Sequence, residues 1–281
     1  MREQNEQRTT NNEFRTMQLK KMPQNDLSKS LKRLTWAAVA FIFAMIIIAF
    51  ADKKGNRAVS SVAVAITPLG EGNLLINEAD VLEAIEQNYG FVLEGTPIAE
   101  LEVGRLEQMI ETDPFVADAD VFVDAEGRVQ VEIVQREPVL RIISNNGQNY
   151  YLDRDGFKMP LSDHFSARVL VATGNIPPFS DDFMDPEKKH TLKDLFLLRG
   201  DLLADAFMNA LIEQVYVSNR GEYILIPKLG DQKIILGPYE NIVDKFKRLK
   251  VFYKEGMPYE GWQKYSEINL KYKGQVVCRK R

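Results

Sequence analysis

Residues 116–134 read VADADVFVDAEGRVQVEIV, and this stretch decides the fold of the first half of the chain. From Val129 to Ile133, apolar residues alternate with polar ones, the period of a strand with one buried face. The segment before it is also rich in valine, and the intervening DAEG at 124–127 has the composition of a turn. The stretch therefore predicts a β-hairpin.

One strand and two helices are predicted upstream of this hairpin. The strand lies within 57–67, where valine and isoleucine alternate with smaller residues. The first helix begins at Asn77, a good N-cap residue, and ends at Gly90, and the second begins near Glu102. The order strand, helix, helix, strand, strand predicts a small two-layer α+β domain at residues 56–136.

Downstream, residues 137–281 predict a second, β-rich α+β domain. Short apolar runs separated by Gly, Asn and Asp turns indicate several hairpins. Helical patterns appear at 188–213, with a predicted break near Gly200, and at 242–253. The chain is predicted to close with one strand over 268–278.

Residues 34–51, LTWAAVAFIFAMIIIAFA, predict a single transmembrane helix. Thr35 is the only polar side chain in this segment, and a helix of eighteen residues would span about 27 Å, close to the thickness of a bilayer's hydrocarbon core. A cleaved signal peptide fits less well, because Phe50-Ala51-Asp52 is a poor cleavage site. A buried core helix would show a polar face, which is absent here.

The charges around this segment predict its orientation. The tail at 1–33 has eight basic and four acidic residues, whereas residues 34–281 carry a net charge of −8 within the chain total of −4. Five basic residues lie shortly before the segment and three shortly after it, which favours a cytoplasmic N-terminus. The polar tail is expected to be disordered, and the acidic remainder to bind no nucleic acid.

The end of the chain has the opposite charge. Residues 245–281 contain eleven basic and three acidic side chains. Two interpretations stay open: a solvated helix face with a charged terminus, or a surface that meets an acidic partner segment.

Residues suited to catalysis are scarce. The chain has one cysteine, Cys278, and two histidines, and it lacks the common hydrolase, phosphate-loop and zinc motifs. His190 fits a solvated helix start and His164 a turn. Asp153–Gly156 resembles part of a calcium loop, but a hairpin turn is favoured, as is a solvated acidic loop at 181–185. The sequence therefore predicts no catalytic residue, no metal, no cofactor and no small-molecule substrate.

Five short motifs resemble those of the bacterial cell-division family FtsQ, called DivIB in Gram-positive bacteria. They are DPFV at 113–116, QREPV at 135–139, YLDRDG at 151–156, LG at 236–237 with Lys245 and Leu249, and INLKY at 268–272. The sequence departs from the family at Gln135, where Glu is more frequent, and at Asn269 and Lys271, where Asp and Arg are usual. The resemblance covers the whole chain and implies that residues 56–136 form a POTRA-type domain, followed by a β domain at 137–281.

The resemblance also implies a function. FtsQ proteins are non-enzymatic scaffolds of the division machinery, held in the cytoplasmic (inner) membrane by one span, with most of the chain outside the cytoplasm and a location at the septum. They bind FtsB- and FtsL-like proteins, and the POTRA domain recruits further components. The last strand presents an edge that a partner extends, which implies a partner site at Leu270, Lys271, Tyr272, Lys273 and Gly274. An acidic residue of the partner would pair with Lys271.

Two other functions are weighed against this expectation. A POTRA-bearing protein could instead serve export or outer-membrane assembly, and would then associate with a β-barrel. A membrane-anchored extracytoplasmic enzyme is the third, and it is disfavoured because histidine, cysteine and metal-spaced carboxylates are scarce.

Overall fold

The computed structural model describes residues 34–47, 57–90 and 92–281. Helix α1 occupies residues 34–47, and all of its residues are exposed. Within the described residues, no helix combines the length and the apolar character needed to cross a membrane. The predicted disordered tail at 1–33 and the last part of the predicted transmembrane helix, 48–51, lie outside the described residues.

The chain divides into two units. One comprises Met1–Ala58 with Pro97–Glu100, and the other comprises Val59–Thr96 with Leu101–Arg281. Helix α1 belongs to the first unit. The second unit contains both β-sheets and all the surfaces considered below.

A three-stranded sheet and two helices form the first module of the second unit. Its elements are β1 (Val62–Thr67), α2 (Glu78–Tyr89), α3 (Val103–Ile110), β2 (Val116–Val123) and β3 (Val129–Gln135). The strand order is β1-β3-β2, with β1 parallel and β2 antiparallel to β3. The predicted hairpin and the predicted order of elements are both confirmed.

Local chemistry explains this module. The Asn77 side chain accepts a hydrogen bond from the Asp80 N–H at 3.0 Å, and the Asp80 carboxylate accepts one from the Asn77 N–H at 2.8 Å. This reciprocal capping box fixes the start of α2. Gly90, in the left-handed region at φ 73°, ends the helix. The alternating apolar residues of β3 are all buried, namely Val129, Val131 and Ile133.

The second module is built on a sheet of nine described strands. These are β4 (Pro138–Ser144), β5 (Asn149–Asp153), β6 (Lys158–Met159), β7 (Leu170–Gly174), β8 (Ile212–Val217), β9 (Tyr223–Pro227), β10 (Lys233–Gly237), β11 (Tyr265–Asn269) and β12 (Val277–Lys280). Their order is β12-β11-β10-β9-β8-β7-β4-β5-β6. Strand β7 runs parallel to both of its neighbours, β4 and β8, and β10 runs parallel to β11. The other neighbouring pairs are antiparallel.

Four described α-helices belong to this module. They are α4 (Thr191–Ala204), α5 (Ala206–Leu211), α6 (Ile242–Val251) and α7 (Met257–Glu260), with a π-helical turn, Phe252–Gly256, between the last two. Buried leucines on α4 and apolar residues on α6 share one hydrophobic core with the sheet. This core supplies the main stabilisation of the module.

The predicted helix break near Gly200 is wrong, because α4 continues through that position. The break lies at Asp205, whose backbone is extended and whose carboxylate accepts hydrogen bonds from the N–H groups of Phe207 and Met208 at 3.1 and 3.2 Å. A strong N-cap thus starts a new helix there. A single glycine inside a helix destabilises it by only about 1 kcal/mol relative to alanine. The burial of the leucines of α4 outweighs this loss.

The prediction of a single strand over 268–278 is also wrong. Strand β11 ends at Asn269, and the chain turns back to form β12, which pairs antiparallel with β11. The turn is closed by a hydrogen bond from the Gln275 N–H to the Tyr272 carbonyl at 3.3 Å, and Gly274 adopts a positive φ of 69°. The terminal element is therefore a hairpin.

The two modules meet at a polar and apolar junction. Leu75, from the loop before α2, packs with Tyr151 and Met159 of the second module. The Ser162 hydroxyl donates to the Leu75 carbonyl at 2.5 Å, and His164 Nε2 lies 2.7 Å from the Asp80 carboxylate. These contacts hold the modules together in addition to the covalent link.

Candidate functional site

The terminal hairpin leaves one sheet edge open. In the described strand order, β12 comes last, so its outer edge has no neighbouring strand. An exposed edge offers unpaired backbone N–H and C=O groups that another chain can pair with. Arg279 and Lys280 on β12 are exposed, and Val277 is 42% exposed. Cations on an edge strand oppose pairing with a second copy of the same cationic edge.

The five predicted partner-binding residues lie in the connection between β11 and β12, not on the edge itself. Leu270 is fully buried, and its N–H donates to the Ile235 carbonyl of β10 at 2.9 Å. The other predicted residues are exposed, Tyr272 to 54%. The expected position of Lys271 and Tyr272 on an edge strand is therefore wrong. A partner-binding role stays a prediction for the five residues, which are Leu270, Lys271, Tyr272, Lys273 and Gly274.

Arg248 of α6 holds this connection in place. Its guanidinium donates to the carbonyls of Leu270 and Tyr272 at 3.1 and 3.0 Å, and also to the carbonyl of Gln275. Its Nε donates to the Asp244 carboxylate at 2.8 Å. The planar fork of arginine suits several acceptors at once, so one side chain fixes the shape of the whole turn.

Lys271 is already paired within the chain. Its Nζ lies 2.8 Å from the Glu222 carboxylate. Its aliphatic stem lies over Gly237, where an added Cβ would come within 2.7 Å of Lys271 Cγ. Glycine at 237 is therefore required both for a φ of 76° and for space.

The LG…K…L motif has a structural role beside this turn. Lys245 is buried, with 3% exposure, and its ammonium donates to the Pro238 carbonyl at 2.8 Å. Burial lowers the pKa of Lys245. Leu249, one turn later, is part of the hydrophobic core. The motif thus joins α6 to the end of β10, where Gly237 receives the Lys271 stem.

A groove of about 590 Å³ lies between α6 and the connection. Its apolar wall includes Val251, Phe252 and Val276, and its polar rim includes Lys247 and Glu255. Val251 is 47% exposed. The groove, the connection and the outer edge of β12 are referred to below as the terminal surface.

Most basic side chains at the end of the chain form ion pairs with acidic side chains of the same chain. The intramolecular ion pairs are Arg248–Asp244, Lys250–Asp205, Lys264–Glu260, Lys271–Glu222, Arg279–Glu267 and Arg281–Asp231. Among the described residues of this region, five lysines form no ion pair, namely Lys245, Lys247, Lys254, Lys273 and Lys280. The positive charge available to a partner is therefore smaller than the sequence count suggests. Lys245 is buried, and the exposed lysines without an ion pair lie beside the groove, on the turn, on β12 and in the π-helical turn.

The other residues weighed from the sequence have structural roles. His190 is the N-cap of α4, and its Nδ1 accepts a hydrogen bond from the Leu192 N–H at 3.2 Å, as expected of a helix start. The Asp153 carboxylate accepts the N–H groups of Asp155 and Phe157, which makes the favoured hairpin turn.

The acidic loop at 181–185 is bridged by a cation from the chain. Lys188 Nζ pairs with the Asp182 carboxylate and lies 3.9 Å from that of Asp185. These contacts lower the pKa of Asp182 to about 2. Within the described residues, no group of three or more histidine, cysteine or acidic side chains is positioned to hold a metal ion.

Sequence reasoning missed the role of Arg248. The residue stands in a basic helical run that was interpreted by its net charge alone. One feature of the sequence could have indicated this role. Arg248 follows the buried Lys245 by three residues and lies on the edge of the apolar stripe, where a cation can contact carbonyls of a neighbouring segment.

Comparison with models of known protein families identifies the family of this chain. A model described as FtsQ/DivIB, C-terminal related, matches residues 137–279, half of the chain. The chain belongs to the FtsQ/DivIB family. A second model, described as a POTRA-like domain, matches residues 60–134. A search of curated proteins returned no match.

Membership of the FtsQ/DivIB family agrees with the architecture. The matched POTRA-like residues contain the three-stranded module, and the FtsQ/DivIB match begins at Glu137, directly before β4. The resemblance inferred from the five motifs is thus confirmed. FtsQ/DivIB proteins are a family of division scaffolds, and this is the general role that the chain shares.

Proposed function

We propose that this FtsQ/DivIB protein is a single-pass membrane scaffold of the division machinery that binds FtsB- and FtsL-like proteins through its terminal surface. The observation that carries the proposal is the open outer edge of β12 beside a turn that Arg248 fixes. A partner segment would add a strand to β12, with backbone hydrogen bonds providing affinity.

The five residues predicted from the family motif keep a role in this proposal. They shape the connection next to the edge rather than forming the edge. Tyr272 is exposed and aromatic, a residue type enriched at binding hot spots. Lys273 carries an unpaired charge among the described residues, so an acidic partner side chain would pair with Lys273 more readily than with Lys271, which Glu222 already holds.

The membrane anchor is part of the same proposal. Helix α1 exposes large apolar side chains, including Trp36 at 75% and Phe41 at 68%. Together with the apolar sequence up to residue 51, this supports one membrane crossing with the tail in the cytoplasm. Residues 56–136 and 137–281 would then lie outside the cytoplasm, the first as the recruitment domain and the second as the binding domain.

Binding of the full-length chain in detergent to purified FtsB- and FtsL-like proteins of the same organism tests the proposal. Tyr272→Ala and Arg248→Met should each weaken binding about tenfold or more, since hot-spot truncations cost about 2 kcal/mol. Lys189→Met is the control for Arg248→Met, because it removes one exposed positive charge outside the terminal surface.

The outcomes separate the alternatives. Equal affinities for Arg248→Met, Tyr272→Ala, Lys189→Met and the unaltered chain would rule out the terminal surface as the binding site. Absence of binding to both division proteins, with association to an outer-membrane β-barrel instead, would favour the export or assembly function. Mid-cell localisation of the fluorescently tagged chain is the cellular counterpart of the binding test.

A further inference from the structure

A cavity of about 540 Å³ lies in the second module, away from the terminal surface. It sits at the start of the parallel strands β4, β7 and β8, and below the ends of α4 and α5. Its volume is within the range of ligand pockets, about 300–1,000 Å³. The QREPV motif contributes Glu137, Pro138 and Val139 to its lining, but the proposed function does not use the cavity.

Three cations from three different elements surround this cavity. Arg168 precedes β7, Arg199 is on α4, and Lys228 follows β9. Among the described residues, none of the three side chains has an ion-pair partner or a hydrogen-bond acceptor. Other exposed cations in the second module are commonly paired, for example Arg154 with Glu137 at 2.5 Å.

Arg199 is the most informative of the three. It is only partly exposed, and burial is the main reason its pKa is lowered, with Arg154 adding repulsion and Glu137 an opposing attraction. Holding a partly desolvated guanidinium without a bonded anion costs free energy. An anionic ligand would supply the missing acceptor, as a carboxylate does for arginine in a bidentate pair.

The remaining lining indicates what kind of anion fits. The floor is apolar, with Val139, Leu202 and Ile212 buried beneath it, and Leu203 is 52% exposed at its side. An apolar surface next to these three cations suits a ligand that alternates apolar and acidic groups. A small inorganic ion would leave the exposed Leu203 side chain in contact with water.

Two carboxylates on the rim argue for a peptide rather than a phosphate. Glu137 and Glu213 line the same cavity and would repel a dianionic group. They can accept hydrogen bonds from the N–H groups of a peptide backbone, and the Asn209 amide offers both a donor and an acceptor.

We propose that this cavity, formed by Arg168, Arg199 and Lys228 over an apolar floor, binds a short acidic peptide segment of a partner protein. One Glu or Asp side chain of the segment lies against Arg199 and Arg168. A neighbouring apolar side chain covers Leu203 and fills the floor. The site does not depend on the division function.

Fluorescence anisotropy with two labelled peptides tests this site on the full-length chain in detergent. The probe is a seven-residue peptide that alternates leucine and glutamate, and its control replaces every glutamate by glutamine. The acidic peptide should bind at least about tenfold more tightly, and its affinity should fall with added salt because charged pairs are screened.

Variants locate the binding on the chain. Arg168→Gln with Lys228→Gln removes two exposed cations, so the fold should remain intact, and Arg199→Gln removes the half-buried one. The matched control, Lys189→Gln with Arg220→Gln, changes the net charge equally at exposed positions outside the cavity. Binding should weaken about tenfold or more in the first two variants and remain unchanged in the control.

Three results would overturn the proposal. The first is equal binding of the two peptides, the second is binding by the cavity variants as tight as by the control variant, and the third is full displacement of the peptide by millimolar inorganic phosphate. The last result would identify a simple anion site, because phosphate cannot use the apolar floor.

Discussion

The side-chain carbonyl of Gln135 accepts a hydrogen bond from the Leu75 N–H at 2.6 Å and so joins the end of β3 to the loop before α2 within the first module. The amide nitrogen of the same side chain donates to the Thr67 carbonyl at 2.9 Å. Gln135 is buried, with 5% exposure. It thus satisfies a donor and an acceptor that β1 and the loop before α2 would otherwise leave unpaired. This is where the family motif more often has glutamate.

Gln135→Glu should therefore destabilise the chain at neutral pH. A carboxylate still accepts from the Leu75 N–H, but it faces the Thr67 carbonyl without a proton to donate. An unsatisfied buried group costs about 1–3 kcal/mol. The midpoint of thermal unfolding, followed by circular dichroism, should fall at pH 7.

The pH dependence of that variant provides the decisive measurement. Burial beside a carbonyl raises the folded-state pKa of the new Glu above its usual value of about 4.3. The protonated carboxyl can donate, so stability is regained below that value and lost as the pH rises through the folded-state pKa. Gln263→Glu, at an exposed position, should show no such recovery, and identical profiles for both variants would contradict the assignment.

The adjacent Arg136 should contribute far more to stability than Arg154. Arg136 lies 3.0 Å from the Asp153 carboxylate with 16% and 4% side-chain exposure, and its guanidinium stacks 4.3 Å above the Phe157 ring. Removing one partner of a buried pair costs about 3–5 kcal/mol. Arg136→Ala should lower the free energy of unfolding by that order in chemical denaturation.

Arg154→Ala is the natural control for this comparison. Its ion pair with Glu137 is 69% and 49% exposed, and exposed pairs contribute about 0–1 kcal/mol. Equal losses for the two arginine variants would show that the Arg136–Asp153 pair does not hold the junction.

Gly237→Ala should destabilise the chain more than Gly274→Ala. Both glycines have positive φ, 76° and 69°, but an added Cβ at 237 meets Lys271 Cγ at 2.7 Å, whereas at 274 nothing lies within 4 Å. The backbone strain alone costs about 1–2 kcal/mol. The difference in unfolding free energy between the two variants measures the cost of the clash between the new Cβ and Lys271. Adding Lys271→Ala to the Gly237→Ala variant should abolish this difference.

The Cys278 thiol should react slowly. It is partly buried on β12 against the core, and burial raises its pKa. Since the thiolate is the nucleophile, labelling by a thiol reagent should need a more alkaline pH than usual. The control is Cys278→Ser with Ser60→Cys, which places a thiol at an exposed position. Labelling at equal rates in both chains would show that the thiol is not shielded.

Sequence reasoning was most accurate where local chemistry decides the structure. The capping residue Asn77, the hairpin around 124–127 and the family motifs each depend on neighbours a few residues apart. It failed at Gly200 and at 268–278, because a helix crosses a glycine when its buried face packs well, and a strand ends where a distant side chain fixes a turn. The domain bounds taken from the sequence stay predictions.

The sequence by itself determined the order of elements, the family and the apolar segment at 34–51, since periodicity and short motifs are properties of adjacent residues. Only the tertiary structure decided that β12 is the outer strand at the C-terminal end of the nine-stranded sheet. Arg248 donates a hydrogen bond to the carbonyl of Leu270, which is 22 residues away in the sequence. This contact holds the turn after which β12 pairs with β11. The convergence of Arg168, Arg199 and Lys228 on one cavity was equally decided by packing, because these residues are distant in sequence and meet only at the end of a folded sheet.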